Sequence, residues 1–445
     1  MTLSNEVFEI LRSVLQNISE AMEKEFIIGL EKGSPESSIA MLPSYIPALP
    51  DGTEIGQYIS IDLSGKNLRL MLLKLKGGLG EPEQVNHNYI VPSVVMKGTG
   101  EQLFTFIVNC LTKFLREVDL LEACLPVGFV FSYPCELLSI RCARLLWWTK
   151  GFDIKDCLQK DVVRLLEDAL EMNMLTNVKI KAVMNDTVGQ LAAASYKHGP
   201  LCTIGVVIGY GCNSSYLEDS KNIKKINLNA AGYKHDKMIV VTEWEEFGAK
   251  GELNCIFNKF DRQVDAASVH RGRQLIDKLI GALYLGELVR HVLAELVQNG
   301  LLFNGMVCEK IHTPDSFPTK YISEILRDDE EGHKVCRRIC DELDVPSHCT
   351  KDYEIMWEVC HVVSQRSASI AAAAIAALLR HLKQENMKIG VGGALIQFHP
   401  TFFEMLNDKL KDLAPESVHW ELVAADEGSA KGAAIIAAVV EKLKL

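Results

Sequence analysis

The residues that could do chemistry on a polar substrate sit at the ends of apolar runs. In "KIKAVMNDTVGQLAAASY", residues 179–196, a buried-strand pattern gives way to a helical one at Asn185 and Asp186, and the helix is predicted to begin at or just after Thr187. Ligands of open α/β sheets bind at such strand ends. Asp186 either caps the helix through the N–H groups of its first turn or acts as a general base that takes the proton from an alcohol. Two further segments, "YISIDLSGKNLRLMLLKL" and "TIGVVIGYGCNSSYLE", carry Gly65-Lys66-Asn67 and Gly211-Cys212-Asn213 between strand runs. A missing side chain there lets backbone N–H groups approach an anion, phosphate above all, although hairpins also need glycine for their own backbone. A third segment, "KIGVGGALIQFHP", has the same strand, turn, strand outline. His333, Cys336, Cys340, His348 and Cys349 are metal-binding types, but their spacing fits no standard zinc pattern and "HKVCRRICDEL" reads as a helix.

These residues need a frame, and 445 residues exceed what one core usually supports, so two lobes of α/β type are expected. A net charge of −11 without a dense Lys/Arg stripe argues against nucleic acid or an anionic membrane as the main partner and for a small polar substrate. The thirteen cysteines, an odd number scattered through apolar segments, read as reduced core thiols of a cytoplasmic protein. No secretion signal is read at the N-terminus, where Val7, Phe8, Leu11, Leu15, Ile18 and Met22 recur at helical spacing and predict an amphipathic helix on the body. The longest apolar stretch, "ASIAAAAIAALL", is about half of what a bilayer crossing needs and reads as a buried helix rather than a membrane span.

Between the turn segments, helices are predicted in "GEQLFTFIVNCLTKFLREVDLL", "KDVVRLLEDALEMNML", "GRQLIDKLIGALYLGELVRHVLAELVQNGLL" and "VVSQRSASIAAAAIAALLRHL". "NHNYIVPSVVMKGTG" reads as a loop leading into a helix, and "FNKFDRQVDAASVHRG" and "RDDEEGHK" as surface connections. Hairpins alternating with long helices, with two turns built alike, suggest related sheets and an old duplication.

From about residue 55 onward the chain resembles the eukaryotic hexokinases. "FVFSYPCELLSIRCARLLWWTKGFDIKDCLQKDVVRLL" is similar to their sugar-binding signature and "VMNDTVGQLAAASY" to their catalytic segment; "TEWEEFGAKGELNCIFNKFDRQVD" and "KLIGALYLGELVRHVL" resemble their two glutamate segments. The resemblance implies a two-lobed, actin-like fold of duplicated ribonuclease-H-like type with the sugar in the cleft. Residues 56–184 would form the small lobe, completed by 428–445, and 1–55 with 185–427 the large one. It implies transfer of the terminal phosphoryl group of ATP, carried with Mg²⁺, to the 6-hydroxyl of a hexose, glucose first, at the entry to glycolysis. A homodimer is expected only because relatives associate. Asp186 would be the base and Lys150 would hold sugar or phosphoryl oxygens. Ser132, Thr149, Lys150, Asn185, Asp186, Asn213, Glu243 and Glu287 would line the sugar site, where amides and carboxylates grip vicinal hydroxyls.

On the nucleotide side the resemblance assigns Ser64, Gly65, Lys66, Asn67, Arg69, Tyr210, Gly211, Gly393, Gly428 and Ser429 to ATP, Arg69 by supporting its loop. Here the sequence departs from the family pattern: "DLSGKN" has Ser64 and Lys66 at its third and fifth places, Gly209-Tyr210-Gly211 carries a ring for threonine, and Gly392-Gly393-Ala394 replaces aspartate, glycine, serine. Ala430 stands for a glycine, and "EWEEFG" has Glu245 and Glu246 where the family has small residues. Lys66 and Tyr210 either rebuild phosphate contacts as cation and phenol donor, or Tyr210 fills the phosphate's place and leaves a weakly catalytic glucose-binding regulator.

Overall fold

The computed structural model describes residues 8–78, 81–328, 333–425 and 428–445. Two sheets organise it, and they share one topology. In the first, strands Ile55–Ser64, Asn67–Lys76 and Glu83–Ile90 form an antiparallel meander; Leu125–Phe131 and then Val178–Met184 add in parallel on the other side of Ile55–Ser64. In the second, Cys202–Ile208, Cys212–Asp219 and Lys237–Val241 form the meander, and Asn386–Gly392 and then His419–Ala424 add in parallel beside Cys202–Ile208. The order across both sheets is third, second, first, fourth, fifth, so the duplication suggested by the two turns is built into the fold. The short edge strand Leu42–Pro43 extends the second sheet beside Lys237–Val241.

In each unit a helix precedes the fourth strand, another the fifth, and a last one follows it: Gly100–Glu117, Val162–Met172 and Asp186–His198, then Thr350–Leu382, Phe402–Leu413 and Ser429–Lys442. The final helices are exchanged. Asp186–His198 packs on the second sheet, with Leu191 against Gly205, and Ser429–Lys442 packs on the first, with Ala433 against Gly128. The two helices cross where Gly189 meets Gly432, and a side chain on Gly432 would lie 1.7 Å from the Gly189 carbonyl oxygen. Each sheet has its own apolar core, and a third cluster, with Val130, Val188, Val241 and Ile436, bridges them. The N-terminal helix Arg12–Glu31 buries Leu15, Ile18, Met22 and Phe26 alongside Thr350–Leu382, and Phe8 is buried ahead of it; Leu11, predicted on the same face, is exposed at the helix cap, and Val7 lies outside the described residues.

Several local expectations need correction. "KIGVGGALIQFHP" is a strand followed by the short helix Ala394–Phe398, because Gly393 (φ +105°) turns the chain tightly over the backbone of Ile208. Residues 83–90 are an edge strand rather than a loop; its inward positions are His87 and Tyr89, whose rings replace the expected aliphatic signal. Lys259–Ala267 is a helix rather than a surface connection, opened by a reciprocal capping box between Asn258 and Asp261. The helix predicted across residues 272–302 breaks at Gly281, where Ala282 and Leu283 donate their N–H groups to the carbonyls of Gly209 and Tyr210 at 2.8 and 3.2 Å.

The alanine-rich stretch belongs to a 33-residue helix, long and apolar enough to cross a bilayer, and 94% of its most apolar window is buried inside the fold. Cys124, Cys255 and Cys349 are exposed, against the expectation of core thiols throughout. Cys336 and Cys340 are buried on helix Lys334–Glu342, and no metal-holding cluster occurs among the described residues. In "RDDEEGHK", residues 329–332 lie outside the described residues.

Candidate active site

The Asp186–His198 helix begins at its aspartate, and Asn185 is the cap: its Oδ1 accepts from the backbone N–H and the hydroxyl of Thr187 at 2.9 and 2.8 Å. Asp186 is therefore not the capping residue, and it is half-buried beside the cap. Two acids from other parts of the fold share its surroundings. Burial first, and the charge of Asp186 in addition, raise the pKa of both Asp62, at the end of the first strand of the first sheet, and Glu243, just after the third strand of the second. Asp186 thus stands between the two sheets.

On the first-sheet side, Asp62 is held by hydroxyls. Ser64 donates to its Oδ1 and Ser429, at the start of the last helix, to its Oδ2, both at 2.6 Å, and the Ser132 hydroxyl lies 2.9 Å from that of Ser64. Arg69, directly opposite Asp62 in the ladder, offsets its charge. Lys150 arrives from a loop fixed by stacked rings: Trp148 lies face to face with Phe152 at 5.2 Å and packs edge-on against Tyr133, and its indole N–H donates to the Ile154 carbonyl. Thr149, half-buried, holds the turn by accepting from the N–H of Phe152. Lys150, with left-handed backbone (φ +57°), donates its ammonium to the Ser132 carbonyl at 2.8 Å and lies beside Gly65.

On the second-sheet side, Asn213 Nδ2 donates to Glu243 Oε1 at 2.8 Å, while Asn213 Oδ1 accepts from the N–H groups of Ser214 and Glu243 and from the Thr242 hydroxyl. The amide is locked, and with it the Glu243 carboxylate. The charge of Lys150 reaches Glu243 across the cleft. Ser132, Lys150, Asp186, Asn213 and Glu243 are therefore linked by hydrogen bonds or by charge, and Asn185 and Thr149 adjoin Asp186 and Lys150 in the chain.

Glu287 belongs to a different set of bonds. Its carboxylate takes Arg290 in a fork at 2.8–3.0 Å and the N–H of Asp315 at 2.7 Å, one and a half turns into helix Ala282–Gln298. Lys66 and Asn67 are exposed at the tip of the first hairpin. Tyr210 is 78% exposed, so its ring is not packed into the protein. Gly211 follows it, and a methyl group on Gly209 would sit 3.9 Å from the backbone nitrogen of Ala394, so two bare-backbone turns, at Gly209–Gly211 and Gly393, converge. Gly428 donates its N–H to Gln190 and ties the start of the last helix to the Asp186 helix. Bare backbone beside the cations Lys150 and Arg69 fits a polyphosphate.

Three further acids stand near these groups: Asp62, the first residue of "DLSGKN", and Glu245 and Asp277. Asp62 had a readable signal, a charge inside the apolar run "YISIDL" just before a glycine turn. Asp277 accepts from the N–H of Cys212 at 2.8 Å, and burial pushes its pKa up to about 6. Only the folded chain brings it there.

Two family models, each described as hexokinase, match residues 4–196 and 203–439, one to each half. The chain belongs to the hexokinase family. The hexokinase of Brugia malayi is 44% identical over 443 residues, 99% of this chain and 76% of that protein. The hexokinase of Schistosoma mansoni is 36% identical and is covered to 93% by 95% of this chain. The chain spans about half the length of human Hexokinase HKDC1, which is 37% identical over 98% of this chain and matched over 48% of its own. Among solved structures, the Schistosoma mansoni hexokinase complexed with glucose superposes with a TM-score of 0.86, covering 98% of this chain and 97% of that one. A hexokinase structure at this similarity also carries the two-lobed, actin-like hexokinase fold over to this chain.

Proposed function

We propose that this hexokinase-family chain transfers the terminal phosphoryl group of ATP to the 6-hydroxyl of a hexose, most readily glucose, and that Asp186 is the base. One observation supports the assignment: Asn185 takes over the capping of the helix, which leaves the neighbouring carboxylate free of that role and within electrostatic reach of both Asp62 and Glu243.

In this reading Glu243 accepts from sugar hydroxyls while Asn213 holds it still, and the Asn185 amide and the Ser132 hydroxyl complete the grip on neighbouring oxygens. An epimer would leave one of these groups unpaired, at a cost of about 1–3 kcal/mol each. Glu287 joins the sugar site only if substrate draws it from Arg290. Asp186 receives the hydroxyl proton as the new O–P bond forms, and Lys150 balances the negative charge that accumulates beside it. ATP brings the phosphoryl group and Mg²⁺ neutralises its phosphates; the turns at Gly65, Gly209–Gly211 and Gly393 would receive them, with Arg69 behind the first. Similarity to hexokinases over nearly the whole chain favours an active kinase over a silent sugar sensor. Thirteen unpaired cysteines support a reducing compartment such as the cytoplasm. A homodimer belongs to the same reading, carried by the family alone, and sedimentation velocity tests it.

The deciding experiment couples glucose 6-phosphate formation to a dehydrogenase. Asp186→Ala is expected to lower kcat by about 10²–10⁴-fold while glucose still raises the melting temperature. Unchanged turnover in that variant would overturn the assignment.

A further inference from the structure

Glu243 stands on left-handed backbone (φ 51°), which a residue with a side chain keeps only where its surroundings hold it. Two segments do the holding. On one side the Thr242 carbonyl accepts from the N–H of Met41 at 2.9 Å, and Leu42 and Pro43 pair with Val241 and Val240, so segment 36–43 lies along the strand that delivers Glu243. On the other side Trp244 and Phe247 are buried, and the chain then turns between Gly248 and Gly251 (φ +103° and +94°), with Lys250 between them.

Both segments end on one side chain from the N-terminal helix. Glu25, buried on Arg12–Glu31, accepts from the N–H of Ser38 at 2.7 Å and from the hydroxyls of Ser37 and Ser38 at 2.8 and 3.2 Å. It also takes the Lys250 ammonium on its two oxygens at 2.8 and 2.9 Å, and Lys250 closes the bridge by donating to the Glu36 carbonyl at 2.7 Å. Burial opposes a charge on Glu25, but the hydrogen bonds from Lys250, Ser38 and Ser37 outweigh it and hold the pKa below the usual carboxylate value. One turn further along, a methyl group on Gly29 would lie 2.4 Å from the Ile39 carbonyl oxygen, so the helix is seated on the same segment.

We propose that Glu25 is a positioning residue for the hexose: it fastens the two segments that flank Glu243 to the N-terminal helix and so holds that carboxylate on the sugar. The proposal rests on the hexokinase reading, in which Glu243 grips sugar. Without Glu25 the Lys250 turn and the Ser37–Ser38 turn lose their common anchor, and the left-handed residue between them relaxes toward a commoner backbone. Glucose then meets a carboxylate that it must first re-order.

The test is the glucose Kd of the full chain by calorimetry without nucleotide, with kcat and the KM values for glucose and ATP measured in parallel. Glu25→Ala frees both segments and should raise the glucose Kd and KM about tenfold, with kcat and the KM for ATP within about twofold. Lys250→Met frees one segment and should raise the glucose Kd about threefold; added to Glu25→Ala it should have no further effect. The Lys250 side chain is 43% exposed, so this variant folds and carries the test if Glu25→Ala does not. Variants that lose melting temperature but bind glucose like the wild type would overturn the proposal, leaving Glu25 a packing role. So would a double variant whose effect is the product of the single ones, since the two residues would then act independently. If the wild type bound no glucose, the hexokinase reading itself would fall, and this proposal with it.

Discussion

Gly189 and Gly432 touch backbone to backbone where the two exchanged helices cross. Neither helix can yield there without moving the sheet it covers, so a methyl group has nowhere to go. Gly432→Ala is expected to destabilise the fold by about 3 kcal/mol, the upper end for overpacking, read from urea unfolding. A loss below about 1 kcal/mol would mean that the crossing relaxes and does not fix how the sheets sit.

The exposed ring of Tyr210 sets a second expectation. Tyr210→Thr restores the family residue, and if the phenol lies outside the phosphate path, KM for ATP should change by no more than about threefold and glucose affinity not at all. A steep gain in kcat would show instead that the ring obstructs the nucleotide.

Far from the cleft, Arg366 and Asp261 form an ion pair with both side chains 1% exposed. The guanidinium forks onto the carboxylate at 2.8 and 2.7 Å, donates to the Ile256 carbonyl and lies over the Phe8 ring. Arg366→Met leaves a buried carboxylate without its counter-charge and should cost about 3–5 kcal/mol. The double change Arg366→Met with Asp261→Leu should recover much of that loss, which denaturant titration of both variants would register.

His399 gives the acid limb of stability. It is 5% exposed, its Nε2–H donates to the Ser364 hydroxyl at 3.0 Å and its Nδ1 accepts from the N–H of Thr401. Burial, with His361 and Arg327 adding positive charge, lowers its pKa from 6.5 to about 4. The unfolded chain therefore binds more protons than the folded one between those values, and stability falls as pH drops through that window, by roughly 3 kcal/mol in all. His399→Gln should flatten this part of the pH–stability curve; an unchanged curve would assign the acid limb to other groups.

Much of this was legible in the residues themselves. The turns at Gly65 and Gly211 suggested related sheets because each carries Gly-x-Asn between two apolar runs, and the segment around Asp186 announced a strand end. What stayed hidden was relational. No local pattern distinguishes Asn185 from Asp186 as the cap, since both side chains suit that role and only the folded geometry selects one. The edge strand at residues 83–90 was obscured because His87 and Tyr89 supply its inward face, and the helix break at Gly281 because it answers to a hairpin some seventy residues earlier. Glu287 pairs with Arg290, a bond that their i, i+3 spacing on one helix allows, but its second bond, to the N–H of Asp315, joins segments that sequence spacing leaves unconnected.

The exchange of final helices has a consequence for biosynthesis. The first sheet is complete in sequence by Met184, yet the helix that covers one of its faces, Ser429–Lys442, leaves the ribosome only after every strand of the second sheet. During translation that apolar face waits uncovered, so the nascent amino-terminal half should depend on chaperones until the closing helix emerges.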